Sequence, residues 1–279
     1  MILRSFSKLN LSLSVNKKLK NGLHDIQSYF CLINLSDQIK IKKIKGKKDI
    51  IKFRGKFAKF VNNKTNSISK TLEILREQKI ITTYYSVLIN KKIPVFAGLG
   101  GGTGNVACLI KFLAKKKLNK NLFDIFNKKK IGSDLKLFFY NRGFMKSLKT
   151  INNIRKNYRL FFLLVYPNVS CSTKEIYSKV KTYSSKSKYR FNKINSKKKF
   201  IETLINKDND LQSIVENKYP FIRKLVAEIE QKKGCYFSRI TGSGSLCYGV
   251  FRTEKTAKDA LTRVKSKYPK FWFSVTKTI

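Results

Sequence analysis

Residues 8–15 (Lys-Leu-Asn-Leu-Ser-Leu-Ser-Val) alternate strictly between polar and apolar. Leu9, Leu11, Leu13 and Val15 fall on one face; Lys8, Asn10, Ser12 and Ser14 fall on the other. With a side-chain period of two, this predicts a half-buried strand. Asp37 to Ile44 predicts a second strand, with Ile39, Ile41 and Ile44 as its apolar side. Ile68, Leu72 and Leu75 have helical spacing and predict a helix over 66–78. Tyr84 to Ile89 reads as a strand. A glycine-rich interruption from Pro94 to Asn105 precedes a helix-compatible run, Val106 to Leu113. Leu122 to Phe126 opens a further helix, and Leu137 to Tyr140 and Arg159 to Val165 predict strands.

Ser178 to Lys199 is dominated by Lys, Ser, Asn and Tyr and has no period, which predicts a solvated loop or a weak helix. Leu211 to Ile229 predicts a helix broken or bent at Pro220. Cys235 to Phe251 holds two strand-like pieces around Thr241-Gly-Ser-Gly-Ser245, Thr256 to Val264 is amphipathic, and Phe271 to Val275 is a last strand. Strands and helices mix without regular βαβ alternation, so the expected class is α+β. The polar run Thr150 to Asn157 separates two apolar blocks and predicts a division into domains of 1–153 and 154–279.

Composition changes this picture in two ways. Hydrophobic residues make up 42 % of 279, enough for a core. No apolar stretch approaches the roughly 18–20 residues of a membrane span, and the N-terminus has no export-signal pattern. The five cysteines form no C-x-x-C pair and read as reduced thiols of a cytoplasmic protein. A single histidine argues against zinc. The charge of +45, from 61 Lys+Arg against 16 Asp+Glu, points toward polyanions. The lysines are spread through nearly every segment, however. Together with Ile, Asn, Phe and Tyr, they are what an AT-rich coding sequence yields. The expectation is therefore a field that favours phosphorylated small substrates, with no specific nucleic-acid partner.

Gly98, Gly100, Gly101, Gly102 and Gly104 fall within seven residues directly before a helical run. Glycine lets backbone N–H groups approach an anion closely, and a following helix N-terminus adds unpaired donors and positive dipole. This predicts a phosphate cradle. It is not a P-loop, because no Gly-Lys-Ser/Thr follows. The second cluster, Gly242-Ser243-Gly244, suggests a site assembled from both halves of the chain. Phosphoryl transfer to a hydroxyl needs a group that orients or deprotonates it. Between Glu77 and Glu175 the only carboxylates are Asp124, in a surface-type helical pattern, and Asp134, at the end of an element. Asp134 is the catalytic candidate; a turn or cap is its other reading. Lys8 shares a strand face with Asn10 and could stabilise developing negative charge beside Asp134. The only histidine, His24, is as consistent with a surface position as with a ligand contact.

Several segments together resemble the 4-diphosphocytidyl-2-C-methyl-D-erythritol kinases of the GHMP group. They are Ser7 to Leu13, Asn21-Gly-Leu-His-Asp-Ile-Gln-Ser28, Leu35-Ser-Asp37, Pro94 to Asn105, Gly132-Ser-Asp134, Tyr166 to Ser170 with Thr173 to Tyr177, Asn209-Asp-Leu211 with Tyr219-Pro220, and Thr241 to Gly244. The resemblance implies a two-domain GHMP kinase fold. Its N-terminal domain would be like one domain of a ribosomal protein and its C-terminal domain ferredoxin-like. It implies Asp134 as base with Lys8 as partner. It implies ATP, with Mg²⁺ on unassigned ligands, held by Pro94, Ala97, Gly98, Leu99, Gly100, Gly101, Gly102, Thr103 and Asn105. A cytidine diphosphate substrate would be read by His24, Tyr177, Asn10, Thr173, Gly242, Ser243 and Gly244. A monomer or weak homodimer without a membrane partner is expected. Three positions depart from the family pattern. Leu23 stands where an aromatic usually precedes the histidine, Gly104 where the ATP loop has a second serine, and Lys136 where a proline follows the aspartate. Two other readings compete. A GHMP kinase for another small alcohol, such as homoserine or mevalonate, keeps the glycine loops but has no use for the His24 segment. An RNA-binding protein of the same N-terminal fold explains the charge but not the glycine clusters.

Overall fold

A computed structural model of the chain describes residues 1–279 apart from 63–65, 130, 133, 188–193 and 195. In chain order the elements are β1 (Ile2–Asn10), β2 (Ser14–Lys18), β3 (His24–Ile44), β4 (Ile50–Arg54), α1 (Ser67–Glu77), β5 (Tyr84–Asn90), α2 (Gly101–Ala114), α3 (Lys120–Lys128), β6 (Arg142–Met145), β7 (Ile151–Asn153) and β8 (Phe161–Tyr166). There follow α4 (Thr173–Ser178), α5 (Lys197–Ile205), α6 (Gln212–Lys218), α7 (Pro220–Glu230), β9 (Cys235–Ile240), β10 (Cys247–Phe251), α8 (Glu254–Lys267) and β11 (Trp272–Lys277). The class is α+β, as expected. Two compact units form, one from Met1–Lys8, Leu35–Val95 and Gly100–Asn141, the other from Leu9–Asn34, Phe96–Leu99 and Arg142–Ile279.

In the first unit, the later part of β3 pairs antiparallel with β5, Gln38 opposite Asn90 and Ile44 opposite Tyr84. β4 pairs parallel with β5. Along β5, Tyr85, Val87 and Ile89 are buried and alternate with half-exposed neighbours, the period of a one-sided strand. The side-chain oxygen of Asn66 accepts from the N–H groups of Ile68 and Ser69, satisfying two of the donors that open α1. α1 buries Ile68, Leu72 and Leu75 and packs on α2.

The second unit is built on an antiparallel sheet of order β11-β8-β10-β9. Phe162, Leu163, Leu164 and Val165 are all fully buried, so both faces of β8 are covered. α7 packs on β9 and β10, and α8 on β8 and β11. The expected break at Pro220 is an end and a beginning: α6 stops before it and the proline opens α7, where its missing N–H has no intrahelical partner to lose. The early part of β3 pairs with β2 and with β6, and β7 pairs with β6.

Three expectations are corrected. Residues 8–15 are not one strand: β1 ends at Asn10, and the Leu13 N–H turns to the carbonyl of Asp208 before β2 begins. Nor is the segment half-buried, since Lys8, Asn10 and Ser12 are each no more than 4 % exposed. Leu137 to Tyr140 is not a strand but part of a 3₁₀ turn over Leu135–Phe139, because Leu135, Leu137 and Phe138 all point inward. The polar run from Thr150 contains β7, paired with β6 at the edge of its sheet. Ser178 ends α4, the chain is irregular from Lys179 through Ser187, and it is helical from Lys197; the rest of the region 178–199 falls mostly outside the described residues. Among the described residues no helix is long and apolar enough to cross a membrane.

Candidate active site

α2 opens at Gly100, whose φ of 65° lies in the left-handed region and whose lack of a side chain leaves the helix end uncapped. The first-turn N–H groups of an α-helix have no intrahelical acceptor, so this end presents donors and positive dipole together. The glycines around it have different reasons. A Cβ on Gly100 would stand 2.8 Å from the Phe138 ring and 3.3 Å from Lys8 Cε. A Cβ on Gly104 would stand 2.9 Å from both Phe138 and the Phe6 carbonyl oxygen. Phe138 and β1 therefore exclude the serine otherwise expected at 104. Gly102 is exposed, and a Cβ there would meet nothing within 4 Å. Asn105, one turn on, is 2 % exposed, and its buried Oδ1 has no hydrogen-bond partner among the described residues. An open, uncapped helix end offers donors that fit phosphate oxygens, while the Asn105 Oδ1, an acceptor, calls for a donor such as a ligand hydroxyl or amine.

Lys8 Nζ lies 3.1 Å from Asp134 Oδ2, with the lysine side chain 4 % exposed and the carboxylate 28 %. Asp134 precedes the 3₁₀ turn, but its side chain caps nothing; the turn is held by Leu135 N–H to the Gly132 carbonyl and Leu137 N–H to the Asp134 carbonyl. The carboxylate is thus committed to Lys8 rather than to a turn. Gly132 has φ 67°, and a Cβ on it would be 2.7 Å from Thr103 Cγ2, so the Asp134 turn rests directly on the first turn of α2. Ser133 lies outside the described residues. Lys136 sits 5.9 Å over the Phe123 ring, and Asp124 is exposed, as read.

A second buried lysine was invisible among 61 basic residues. Lys91 is ion-paired to Asp37, whose other oxygen accepts from the N–H groups of Lys92 at 2.7 Å and Ile93 at 2.9 Å. A Cβ on Gly101 would be 3.5 Å from Lys91 Nζ and 3.0 Å from Ile93 Cγ2. The pair braces the chain that enters the glycine run, with Pro94 buried next to it.

In the second unit Gly98 meets the second glycine cluster. Gly98 has φ 77°, and a Cβ on it would collide with the carbonyl oxygen of Thr241. Ala97 and Leu99 on either side are buried. Asn209 Nδ2 donates to the carbonyls of Ile240 at 3.1 Å and Gly242 at 2.8 Å, holding the second cluster's turn. This is the work of the Asn209-Asp-Leu211 segment, whose pattern was visible in the sequence but whose role was not. Asn10 N–H donates to Thr241 Oγ1 at 3.0 Å, and Asn10 Nδ2 donates to Ser28 Oγ at 2.8 Å. The Asn10 amide is therefore a buried strut.

Thr173 Oγ1 and Ser243 Oγ are 3.0 Å apart on the wall of a cavity of about 460 Å³, lined also by Phe96, Gly98, Ser170, Cys171, Ser172, Glu175 and Gly244. Lys218 Nζ reaches both Glu175 oxygens at 2.5 and 2.6 Å and holds that carboxyl below its usual range. Burial pushes the Cys171 thiol up to about 11, so it stays protonated and inert at neutral pH. His24 opens β3, half-exposed, its ring 5.0 Å from that of Tyr177 and tilted by 35°. Desolvation, with help from Lys18, lowers the His24 pKa below 6.5 and keeps the imidazole neutral. Leu23 beside it is 46 % exposed. Among the described residues no cluster of His, Cys, Asp and Glu has the makings of a metal site.

The arrangement has relatives. Residues 197–270 match the family model described as GHMP kinases C terminal. The chain is 35 % identical over 281 residues to the 4-diphosphocytidyl-2-C-methyl-D-erythritol kinase of Pelagibacter ubique (strain HTCC1062), covering 99 % of this chain and 98 % of that one. It is 29 % identical over 280 residues to the protein of the same name from Wolbachia sp. subsp. Brugia malayi (strain TRS), covering 95 % and 94 %. A crystal structure of 4-(cytidine 5'-diphospho)-2C-methyl-D-erythritol kinase superposes with a TM-score of 0.74 over 99 % of both chains at 18 % identity, a likeness of fold.

Proposed function

Because the chain belongs to the 4-diphosphocytidyl-2-C-methyl-D-erythritol kinase family, we propose that it phosphorylates the 2-hydroxyl of 4-diphosphocytidyl-2-C-methyl-D-erythritol, at the expense of ATP, in non-mevalonate isoprenoid precursor synthesis. The observation that carries the reading is the 3.1 Å Lys8–Asp134 pair, standing on the open N-terminus of α2. Asp134 accepts the proton of the acceptor hydroxyl as its oxygen takes up the phosphoryl group. Lys8 fixes the carboxylate and offsets negative charge that develops beside it. The N–H groups of Gly101, Gly102 and Thr103 hold phosphate oxygens, and the Asn105 amide adds a polar contact at the same end. Bound ATP supplies the γ-phosphoryl group, and Mg²⁺ would offset its charge. His24 and Tyr177 take the cytosine by edge hydrogen bonding and stacking. Thr173, Ser243 and the glycines beside them offer hydroxyl and backbone groups to the remainder of the substrate.

The test is ADP release with ATP·Mg²⁺ and the diphosphocytidyl alcohol, set beside homoserine and mevalonate. Turnover with the cytidine substrate alone is expected. Turnover only with homoserine or mevalonate would reassign the acceptor. No turnover, with RNA binding that survives physiological salt, would overturn the kinase reading.

A further inference from the structure

Near His24 stands another ring. Tyr183, in the irregular segment after α4, is 45 % exposed, and its ring lies 6.4 Å from the imidazole and within 29° of parallel. Its neighbours fix it there. Ser184 N–H donates to the Val15 carbonyl at 2.9 Å, and the Ser184 carbonyl accepts from Asn16 Nδ2 at 2.9 Å. The Ser184 hydroxyl donates to Asp210 Oδ2 at 2.7 Å, the same oxygen that accepts the Val15 N–H. Further on, Lys186 pairs with Asp25 at 2.6 Å, and Ser187 N–H donates to Gln27 Oε1 at 2.8 Å. The segment is a strap fastened along the β2–β3 hairpin, and that hairpin carries His24.

Ordering a serine- and lysine-rich segment costs conformational entropy, which these bonds offset. What the ordering displays is one large apolar side chain: over residues 181–187, Lys-Thr-Tyr-Ser-Ser-Lys-Ser, Tyr183 is the only ring. An exposed aromatic face held parallel to an imidazole that can hydrogen-bond is the equipment of a nucleobase site. Leu23, the residue before His24, is exposed but offers no ring.

We infer that Tyr183 is a specificity-determining stacking residue: with Tyr177 it flanks His24 and supplies an aromatic face for the cytosine ring of a cytidine diphosphate ligand. The inference rests on the substrate reading above. Fixing the strap beforehand lowers the ordering cost of binding.

The test uses the full chain with CDP as probe for calorimetry, and the kinase assay for KM. Tyr183→Ala should raise the Kd for CDP and the KM for the cytidine substrate about tenfold, within the range of base–aromatic stacking, and leave the KM for ATP unchanged. Tyr183→Phe keeps the face and should stay within about twofold of wild type on the same stacking argument. Tyr183→Trp should show fluorescence quenched by CDP and not by ADP. Tyr183→Ala within twofold of wild type in an active enzyme overturns the inference, as does equal damage from Tyr183→Phe or a parallel loss of ATP affinity. If the wild-type chain neither binds CDP nor turns over, the substrate reading fails first and takes this inference with it. An active wild type with an indifferent Tyr183 sinks the inference alone.

Discussion

At the N-terminus of α2, Gly100 and Gly104 are glycine because Phe138, Phe6 and Lys8 already occupy the space a side chain would need. Gly102, between them, faces nothing. At the second cluster, Gly98 is pressed against the Thr241 carbonyl, and the turn over 241–244 hangs from the Asn209 amide. Both clusters read alike in sequence, yet most of their glycines serve packing, and only an open position such as Gly102 leaves room for a ligand. The units that hold them differ in a second respect. Around Lys8 and Asp134 the charged groups are committed to each other and mostly buried. Around His24 the rings are half-exposed and one is held by a strap. Charge stabilisation is strengthened by removal from water, whereas a recognition face must stay open until its ligand arrives.

The comparison breaks most sharply at the buried pair. Asp134→Asn keeps the shape but removes the charge and the proton acceptor, and kcat should fall by about 10²–10⁴. Lys8→Met should depress kcat as well, and the double variant should be little worse than either single one, because a pair acting as a unit is not additive. Steady-state kinetics with an independent ATP-binding measurement checks this; near-wild-type turnover in Asp134→Asn would remove it as the base.

The glycines should separate by measurement type. Gly98→Ala puts a Cβ into the Thr241 carbonyl at a positive φ, which should cost about 3 kcal/mol and lower Tm by roughly 5–10 °C. Gly102→Ala should leave Tm within about 2 °C, since alanine suits a helix, while raising the KM for ATP roughly tenfold by crowding the donors. A large Tm loss in Gly102→Ala would mean that this position too is structural.

On the recognition side, His24→Ala should raise the KM for the cytidine substrate about tenfold and leave ATP affinity intact, the loss expected when a base loses its polar partner. Because desolvation and Lys18 lower the His24 pKa from its ordinary value, the neutral imidazole dominates at neutral pH. The KM for the cytidine substrate should be flat around neutral pH and above, and climb as pH falls through the lowered pKa, where protonation removes the acceptor nitrogen. A KM that improves on acidification would show that the imidazolium is the binding form.

The smallest effect concerns the +45 charge. RNA binding should be weak and fade by roughly 150–200 mM salt, as sequence-independent phosphate contacts do. Retention of a selected sequence above that range would give the basic surface a function of its own.

Periodicity and punctuation determined much of this molecule unaided. β5, α1 and the pair α6–α7 follow from apolar spacing and from Pro220, because one-sided burial leaves a period in the chain. Asp134 stood out by the scarcity of carboxylates around it, and the end of α2 proposed to take phosphate by its glycines. Tertiary structure decided the rest. Lys8, Asn10 and Ser12 look like a solvent face, yet they are buried, since a polar residue does not announce whether water or a partner satisfies it. Leu137 to Tyr140 is a short unbroken apolar run of the kind a buried strand shows, but its residues pack inward as part of a 3₁₀ turn. Lys91 could not be told from 60 other basic residues until Asp37 was seen against it, and Tyr183 sat in a segment without pattern. Local spacing records which way a chain repeats; which distant group each side chain meets is set by closing loops of a hundred residues and more, and a linear pattern carries no term for that.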